Sequence, residues 1–133
     1  MRIVFLDSVG LLATWDTRDQ WHQAAAPVFA TLVKEGAAIL TTELILAECG
    51  NAASRKPYRP RVPALRKHLV DQDRVIWIDR ITLDLAWRAF QKEEAGAAGI
   101  VDQTSFLVMR RLGITEAFTN DTHFKAAGFN TLF

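Results

Sequence analysis

Short apolar runs alternate with amphipathic helical segments along the whole chain. The run Arg2 to Leu6 has the apolar character of a strand covered on both faces, and shorter runs of the same kind follow at Ala38–Leu40, Val75–Ile78 and Ala117–Thr119. Strands separated by helices of this length imply crossover connections and a parallel sheet. The sequence therefore predicts a three-layer α/β/α sandwich with a mostly parallel sheet of four to five strands, the fifth at Phe129–Phe133.

Helical periodicity and capping residues predict the segments between the strands. Thr17 is the expected cap of a helix that runs to about Glu35, and Thr41 or Thr42 is the expected cap of a helix that ends at Ser54. Three prolines predict a loop over residues 56–63. The remaining helices are predicted as one turn at Val9–Thr14 and longer segments at Ala64–Asp71, Leu83–Ala95 and Val101–Leu112.

Length and composition indicate one globular domain over residues 1–133. Half of the residues are hydrophobic, which is enough for a full core. The net charge of +1 neither indicates nor excludes a polyanionic partner, so any nucleic-acid signal must be local. The apolar run before Asp7 is too short for a signal peptide or a membrane span, and we expect a cytoplasmic protein with no membrane contact.

Four acidic residues are predicted to meet at one edge of the sheet. Asp7 directly follows the first strand, and Asp121 follows the fourth after only Asn120. Glu48 lies in an otherwise apolar helical segment, where an unpartnered charge is costly, and Asp102 opens the late helix. Ligands of open α/β sheets bind beyond the carboxyl ends of the strands. Hard oxygen ligands that repel one another there predict a site for Mg²⁺ or Mn²⁺.

Each of these acids also has a purely structural interpretation. Asp7 and Asp102 precede helical segments, where Asp is a favoured cap, and Asp121 can stabilise a turn through its own backbone. Glu48 can be a partly exposed helix residue. Four independent coincidences at one edge are less economical than one shared cause, so we favour the metal site.

The motifs around these acids resemble those of the PIN-domain ribonucleases. The chain carries Leu6-Asp7-Ser8 after the first strand and Leu46-Ala47-Glu48-Cys49-Gly50-Asn51 in the third helix. It continues with Val101-Asp102-Gln103-Thr104-Ser105-Phe106 and Phe118-Thr119-Asn120-Asp121-Thr122-His123-Phe124. Their order and spacing match that family over essentially the whole chain, and within it the chain is most similar to VapC-type toxins of type II toxin–antitoxin pairs.

This resemblance implies a metal-dependent endoribonuclease that is neutralised by a small antitoxin protein and forms a homodimer. It implies metal or water ligation by Asp7, Glu48, Asp102 and Asp121. The polar residues implied to support these ligands are Ser8, Asn51, Ser105 and Asn120. Gly99 and Asn120 depart from the usual residues before the third and fourth acids, which affects the surroundings of the ligands and not the ligands themselves.

A local basic segment is the one charge feature that suits a polyanion. Between Ser54 and His68 the chain has six basic residues and no acidic one, with an aromatic residue among them. Such a loop can hold phosphates and stack a base, or receive an acidic segment of an antitoxin, or be a solvated surface loop. The candidate contacts with RNA or antitoxin are Arg55, Lys56, Tyr58, Arg59 and Arg61.

The remaining histidines and tryptophans are assigned structural places. His22, His68 and His123 lack the spacing of a helical zinc pair and are predicted to be surface or turn residues. Most of the four tryptophans are predicted to pack in the core. Trp15, in a predicted loop after Asp7, is the candidate for a substrate or dimer contact.

Other functional classes fit less well. A haloacid-dehalogenase-like phosphatase needs a second Asp two residues after the first, where the chain has Val9. A receiver domain needs a Lys near its final strands, and Lys125, which lies beyond Asp121, is in the wrong place for it. No nucleophile elbow or phosphate-binding loop is present in the sequence. The alternative that stays open is a catalytically silent PIN-like module that binds RNA or protein through its basic loop.

Overall fold

The computed structural model of the chain describes residues 1–94 and 96–133. No helix in these residues is both long and apolar enough to cross a membrane. The strands are β1 (Ile3–Leu6), β2 (Ala38–Thr42), β3 (Val75–Ile76), β4 (Glu116–Phe118) and β5 (Asn130–Thr131). The helices are α1 (Ser8–Trp15), α2 (His22–Lys34), α3 (Glu43–Ala53), α4 (Arg61–Asp71), α5 (Arg80–Lys92), α6 (Ile100–Leu112) and α7 (Thr122–Ala126).

The strands form one parallel sheet in the order β3-β2-β1-β4-β5, so the first strand is central. Val4, Phe5 and Leu6 are all fully buried, although consecutive side chains of a strand point to opposite faces. Both faces of β1 are therefore covered. The helices flank the sheet, α1 packing with α2 and α3, and α5 with α6. The predicted three-layer α/β/α sandwich is confirmed.

The register of the central strands aligns their carboxyl ends at one edge. Phe5 of β1 pairs with Leu40 of β2 and with Ala117 of β4. Because the three strands run parallel, the segments that follow them leave the sheet side by side. This edge therefore receives residue 7 after β1, the start of α3 after β2 and residue 119 after β4.

Two helix starts differ from the prediction because turn and proline chemistry override the expected caps. Thr17 does not cap α2, which begins at His22, because the carboxylates of Asp16 and Asp19 accept hydrogen bonds from Arg18 and Trp21 amides and form turns instead. The fourth helix begins at Arg61 and not at Ala64. Pro63 is accommodated in its first turn, where the missing amide hydrogen has no helical partner to lose.

Other element boundaries move by a few residues. The helix predicted to start at Leu83 begins at Arg80, since Asp79 accepts a hydrogen bond from the Thr82 amide at 2.7 Å and acts as its cap. This helix ends at Lys92, and its predicted end at Ala95 lies outside the described residues. Thr42 caps α3 as predicted, because its hydroxyl accepts a hydrogen bond from the Ile45 amide.

The prediction that most tryptophans lie in the core is wrong. Trp21, Trp77 and Trp87 are 46%, 65% and 46% exposed. Trp15 is partly buried against the core, at the end of α1 and not in a loop. Aromatic residues at helical spacing can thus belong to an exposed stripe, which periodicity alone does not separate from a buried one.

Gly10 sets how closely α1 approaches β4. A Cβ atom at this position would lie 2.2 Å from the Phe118 carbonyl oxygen and 2.6 Å from the Phe118 ring. Phe118 is the last residue of β4 and precedes the segment that leads to Asp121. The absence of a side chain at Gly10 therefore lets α1 pack directly on the strand end that supports the acidic edge.

We expect Gly10→Ala to lower the free energy of unfolding by about 1–3 kcal/mol, because the added methyl group must displace backbone in a packed region. Gly50→Ala is the matched control: Gly50 also lies within a helix, and its Cβ would have no neighbour within 4 Å. That control should be neutral or stabilising by up to about 1 kcal/mol. Urea unfolding followed by circular dichroism measures both, and equal stability of the two variants would contradict the close approach.

Candidate active site

The four predicted carboxylates lie together at the carboxyl edge of the sheet. Asp7 follows β1, Asp121 follows β4, Glu48 projects from α3 and Asp102 from the first turn of α6. The charges of Asp102 and Glu48 both act on Asp7, and the charges of Asp121 and Glu48 both act on Asp102. These mutual interactions define one acidic cluster, made of Asp7, Glu48, Asp102 and Asp121.

Asp7 is the most buried member of the acidic cluster, with 1% of its surface exposed. Burial raises the pKa of its carboxyl group to about 7, the Thr119 hydroxyl opposes this shift, and the charges of Asp102 and Glu48 add to it. The Thr119 hydroxyl donates a hydrogen bond of 2.8 Å to Asp7 Oδ2 and accepts one from the Asp121 amide. Thr119 thus connects two of the clustered acids and fixes the orientation of the first.

Ser8 connects α1 with α3. Its hydroxyl group donates a hydrogen bond to Glu48 Oε1, and Ser8 itself is almost fully buried. Glu48 starts from an exposed position on its helix, and this bond holds its carboxylate toward Asp7. The side chain that directly follows the first acid therefore orients the second.

Asp102, Asp121 and His123 form the part of the site best arranged to share a cation. One ligand atom of each lies within 4.8 Å of the other two. Burial raises the pKa of Asp102 to about 6, and the charges of Asp121 and Glu48 contribute to the same shift. Repulsion of this kind is relieved when a divalent cation lies between the carboxylates. The donor set of clustered carboxylate oxygens fits Mg²⁺ or Mn²⁺.

His123, which was predicted to be a surface or turn residue, is a member of the site. Its Nδ1 lies 3.1 Å from Asp121 Oδ1 and 3.9 Å from Asp102 Oδ2, while its Nε2 lies 3.1 Å from the Gly96 carbonyl oxygen. The bond to Gly96 raises the pKa of His123, and the charges of Asp121 and Asp102 add to this effect. The sequence feature that could have identified His123 as a site residue is its position two residues after Asp121.

Of the structural alternatives, those for Asp121 and Glu48 hold, since Asp121 stabilises the local backbone and Glu48 is exposed on its helix, whereas side-chain capping by Asp7 and Asp102 does not. Asp121 Oδ1 accepts a hydrogen bond from the His123 amide at 2.8 Å and so caps α7. Asp7 occupies the N-cap position of α1 without a side-chain capping bond. Gly99, and not Asp102, is the N-cap residue of α6. Capping therefore explains neither the burial of Asp7 nor the inward position of Asp102.

The predicted supporting residues lie at the site with different partners. Ser8 contacts the acidic cluster directly, as described above. The Ser105 hydroxyl is fully buried and donates to the Val101 carbonyl of its own helix at 3.0 Å. Asn51 is exposed on α3 and Asn120 is partly buried beside Asp121. For these three residues the supporting role stays a prediction, whereas Thr119, which the sequence analysis did not single out, makes the bond that orients Asp7.

The predicted basic loop lies beyond the ends of α1 and α3. The Arg59 guanidinium donates a hydrogen bond to the Ser54 carbonyl oxygen within the loop. Lys56, Tyr58 and Arg61 face the end of α1 across a cleft of about 560 Å³, with Trp15 on the opposite side. Arg55 is exposed. The structure thus joins most of the predicted contact residues with Trp15 in one place.

Comparisons with known proteins agree with this architecture. A family model described as the PIN domain matches residues 4–130. The chain is 29% identical over 131 residues to the 23S rRNA-specific endonuclease VapC20 of Mycobacterium tuberculosis, covering 96% of this chain and 95% of that protein.

Solved structures show the same fold. The crystal structure of Mycobacterium tuberculosis VapC20, described as a Sarcin-Ricin loop cleaving toxin, matches with a TM-score of 0.77 at 24% identity over 95% of both chains. The structure of PAE2754 from Pyrobaculum aerophilum matches with a TM-score of 0.53 at 18% identity, covering 98% of this chain and 89% of that one.

The raised pKa of Asp7 predicts that the metal-free protein loses stability as the pH rises. The unfolded carboxyl group titrates near 3.8 and the folded one near 7, so between these values the folded state binds more protons and deprotonation favours unfolding. A shift of this size corresponds to at most about 4 kcal/mol. We expect the thermal midpoint in EDTA to fall between pH 5 and pH 8.

The thermal midpoint of the Asp7→Asn variant should fall less over this pH range, because only the smaller contribution of Asp102 remains. Addition of Mg²⁺ or Mn²⁺ at pH 8 should restore the midpoint of the unmodified protein, since the cation replaces the lost protons. Differential scanning calorimetry measures the midpoints of the unmodified protein in EDTA, of the variant in EDTA and of the unmodified protein with added metal. A midpoint that rises with pH in EDTA would contradict the buried acidic cluster.

Proposed function

The chain belongs to the PIN-domain family as a VapC-type member, and on this premise we propose that it is a metal-dependent endoribonuclease that hydrolyses RNA phosphodiester bonds. The biological role proposed with it is that of the toxin in a VapBC-type toxin–antitoxin pair. The observation that carries the proposal is the convergence of four carboxylates from four elements on one edge, two of them with raised pKa values. If the cluster had a purely structural role, the repulsion between its carboxylates would have no compensating interaction.

In the proposed mechanism Asp7, Glu48, Asp102 and Asp121 would hold Mg²⁺ or Mn²⁺. A divalent cation in such a site supplies an activated water and stabilises charge on the phosphate. The Thr119 hydroxyl keeps one carboxylate oxygen of Asp7 occupied, and so directs the other oxygen toward the site. Ser8 does the same for Glu48. No side chain acts as a covalent nucleophile, and the expected products carry a 5′ phosphate and a 3′ hydroxyl.

His123 adds a nitrogen donor beside Asp102 and Asp121. The Gly96 carbonyl accepts a hydrogen bond from Nε2 when that nitrogen carries the proton, which leaves the Nδ1 lone pair facing the carboxylates. An imidazole beside carboxylate oxygens suits Mn²⁺ as well as Mg²⁺. We propose His123 as an additional ligand or as a hydrogen-bond partner of Asp121.

RNA and an antitoxin are the proposed partners, and the cytoplasm is the proposed place of action. Arg55, Lys56, Tyr58, Arg59 and Arg61 are the proposed contact residues, because polyanions and acidic protein segments both bind clustered basic side chains. The activity named for the Mycobacterium tuberculosis relative makes 23S rRNA the first natural substrate to test.

A homodimer through α5 is proposed from the exposed apolar side chains of this helix. Ile81, Leu85, Trp87 and Phe90 are 41–72% exposed, and the Trp87 and Phe90 rings contact each other edge to face at 5.5 Å. Exposed apolar groups of this size on one helix are typical of association surfaces.

Asp7→Asn and Asp102→Asn should each reduce cleavage of RNA by about a hundredfold or more, because each removes a charged ligand of the cation. The measurement is cleavage of 23S rRNA and of mixed-sequence RNA by purified, antitoxin-free protein in Mg²⁺, Mn²⁺ or EDTA. Asp71→Asn is the matched control, since this exposed residue pairs with Lys67 on the surface of α4.

Cleavage that persists in EDTA or in both folded variants would overturn the metal-dependent mechanism. Absence of cleavage under every condition, together with retained RNA binding, would instead indicate the binding module that the sequence left open as the alternative.

Ile81→Lys combined with Leu85→Lys should convert a dimer into a monomer, because two charges would be buried without partners in the proposed interface. Light scattering after size-exclusion chromatography measures the mass. Val33→Lys, at a 58% exposed position of α2, is the matched control and should leave the mass unchanged. A monomeric unmodified protein would rule out the α5 dimer.

A further inference from the structure

A cleft between the end of α1 and the basic loop lies outside the acidic cluster and contains three of the proposed contact residues. Trp15, Asp16 and Arg18 form one wall, and Lys56, Tyr58 and Arg61 lie on the other, so we name it the Trp15 cleft. Its volume of about 560 Å³ falls within the range of about 300–1,000 Å³ that is usual for small-ligand pockets. It can therefore accept a group of the size of one nucleotide.

Both aromatic rings of the Trp15 cleft are held in place before any ligand binds. Trp15 and Tyr58 are partly buried and pack against the hydrophobic core, and the Tyr58 hydroxyl lies 3.4 Å from Asp16 Oδ2 across the cleft. In the part of the chain that the structure describes, neither ring stacks on another aromatic ring. Fixed rings with free surface bind a planar group at a low entropic cost.

The charge of the Trp15 cleft is positive. Arg18, Lys56 and Arg61 line it, and none of them forms a salt bridge with any carboxylate in residues 1–94 or 96–133. Asp16 is the opposing charge, and its Oδ1 is occupied by a hydrogen bond of 2.9 Å from the Arg18 amide. The charge of Asp19 also acts on Tyr58, and three cations against these two carboxylates favour an anionic ligand.

Two helices connect the Trp15 cleft to the acidic cluster. The first of them, α1, starts beside Asp7 and ends at Trp15, which places the two ends about 12 Å apart at 1.5 Å per residue. The second, α3, carries Glu48, which is bonded to Ser8, and leads into the loop with Tyr58. A strand of RNA whose phosphate lies at the acidic cluster can therefore reach the cleft within a few nucleotides.

We propose that the Trp15 cleft binds one unpaired nucleotide of the RNA substrate. Its base stacks on Trp15 or Tyr58, and Arg18, Lys56 and Arg61 bind the flanking phosphates. This inference rests on the proposed function, because it assigns a subsite for the RNA that the acidic cluster cleaves. An acidic protein segment needs only the cations, whereas two preformed aromatic faces beside them suit a planar base on a phosphate chain.

The test compares binding of two probes of equal charge. One is an RNA of eight uridines and the other is the same ribose-phosphate chain without bases. Affinities are measured by fluorescence anisotropy in EDTA, where metal-dependent hydrolysis does not consume the probe. The protein should bind the uridine RNA about tenfold more tightly, because stacking of a single base contributes about that factor.

Substitutions should separate stacking from charge. Trp15→Ala and Tyr58→Ala should remove the preference for bases and leave binding of the abasic chain unchanged. Lys56→Gln and Arg61→Gln should weaken the binding of both probes equally and reduce the salt dependence of the affinity, since they remove phosphate contacts. Trp77→Ala, which removes a 65% exposed tryptophan, and Lys92→Gln at the end of α5 are the matched controls and should change neither affinity.

Equal affinity of the unmodified protein for the two probes, or a base preference that survives both aromatic substitutions, would overturn the nucleotide subsite. A peptide of eight glutamates provides a further arm: a loss of its binding in Lys56→Gln and Arg61→Gln with unchanged RNA affinity would assign the cleft to an acidic protein segment. Metal-dependent cleavage of RNA is measured separately, so a failed subsite with intact cleavage leaves the proposed function standing.

Discussion

Repulsion and desolvation at the acidic cluster are the constraint on which the rest of the structure depends. Asp7 is buried next to other carboxylates, which favours its neutral form, although the proposed chemistry requires its charge. Thr119 and Ser8 each donate one hydrogen bond to the cluster, and these two bonds offset only part of the cost. Under the proposed function a bound cation would offset the rest, so the acidic cluster would be stabilised either by protonation or by the cation.

The central sheet makes this arrangement possible because it holds the strand ends rigidly. The first strand is buried on both faces and lies between β2 and β4, so residues 7 and 119 leave neighbouring strands at the same level. Gly10 lets α1 lie directly on the end of β4. The hydrogen bond between Thr119 and Asp7 spans 112 residues of sequence, and it forms because packing of the strands has already placed both residues.

The sequence predicted most of the fold, because buried parallel strands leave short apolar runs that periodicity detects. The four acids were predictable for a related reason: Asp7 and Asp121 follow strands, and Glu48 interrupts an apolar helix. Three kinds of feature were not predictable. Thr119 and His123 acquire their roles through contacts whose geometry depends on the loops after β4 and before α6. Helix starts at His22 and Arg61 depend on local turns and a proline in the first helical turn. Among the exposed tryptophans, Trp87 lies in α5, where spacing is the same for a core stripe and a surface stripe, whereas Trp21 directly precedes α2 and Trp77 directly follows β3.

Helix α1 connects the two functional regions. Asp7, where charge must be buried, directly precedes α1, and Trp15, where an aromatic face must stay accessible, is the eighth and last residue of this helix. At the start of α1, Ser8 is hydrogen-bonded to Glu48 of α3. At the end of α1, Asp16 is hydrogen-bonded to Tyr58 of the loop that follows α3. A rotation of α1 would therefore change the acidic cluster and the cleft together. The close approach of Gly10 to Phe118 leaves no space for movement of α1 toward the sheet. The distance between the cutting site and the proposed base subsite is consequently a fixed property of the fold, and a fixed spacing of this kind is what selection of one bond in an RNA chain requires.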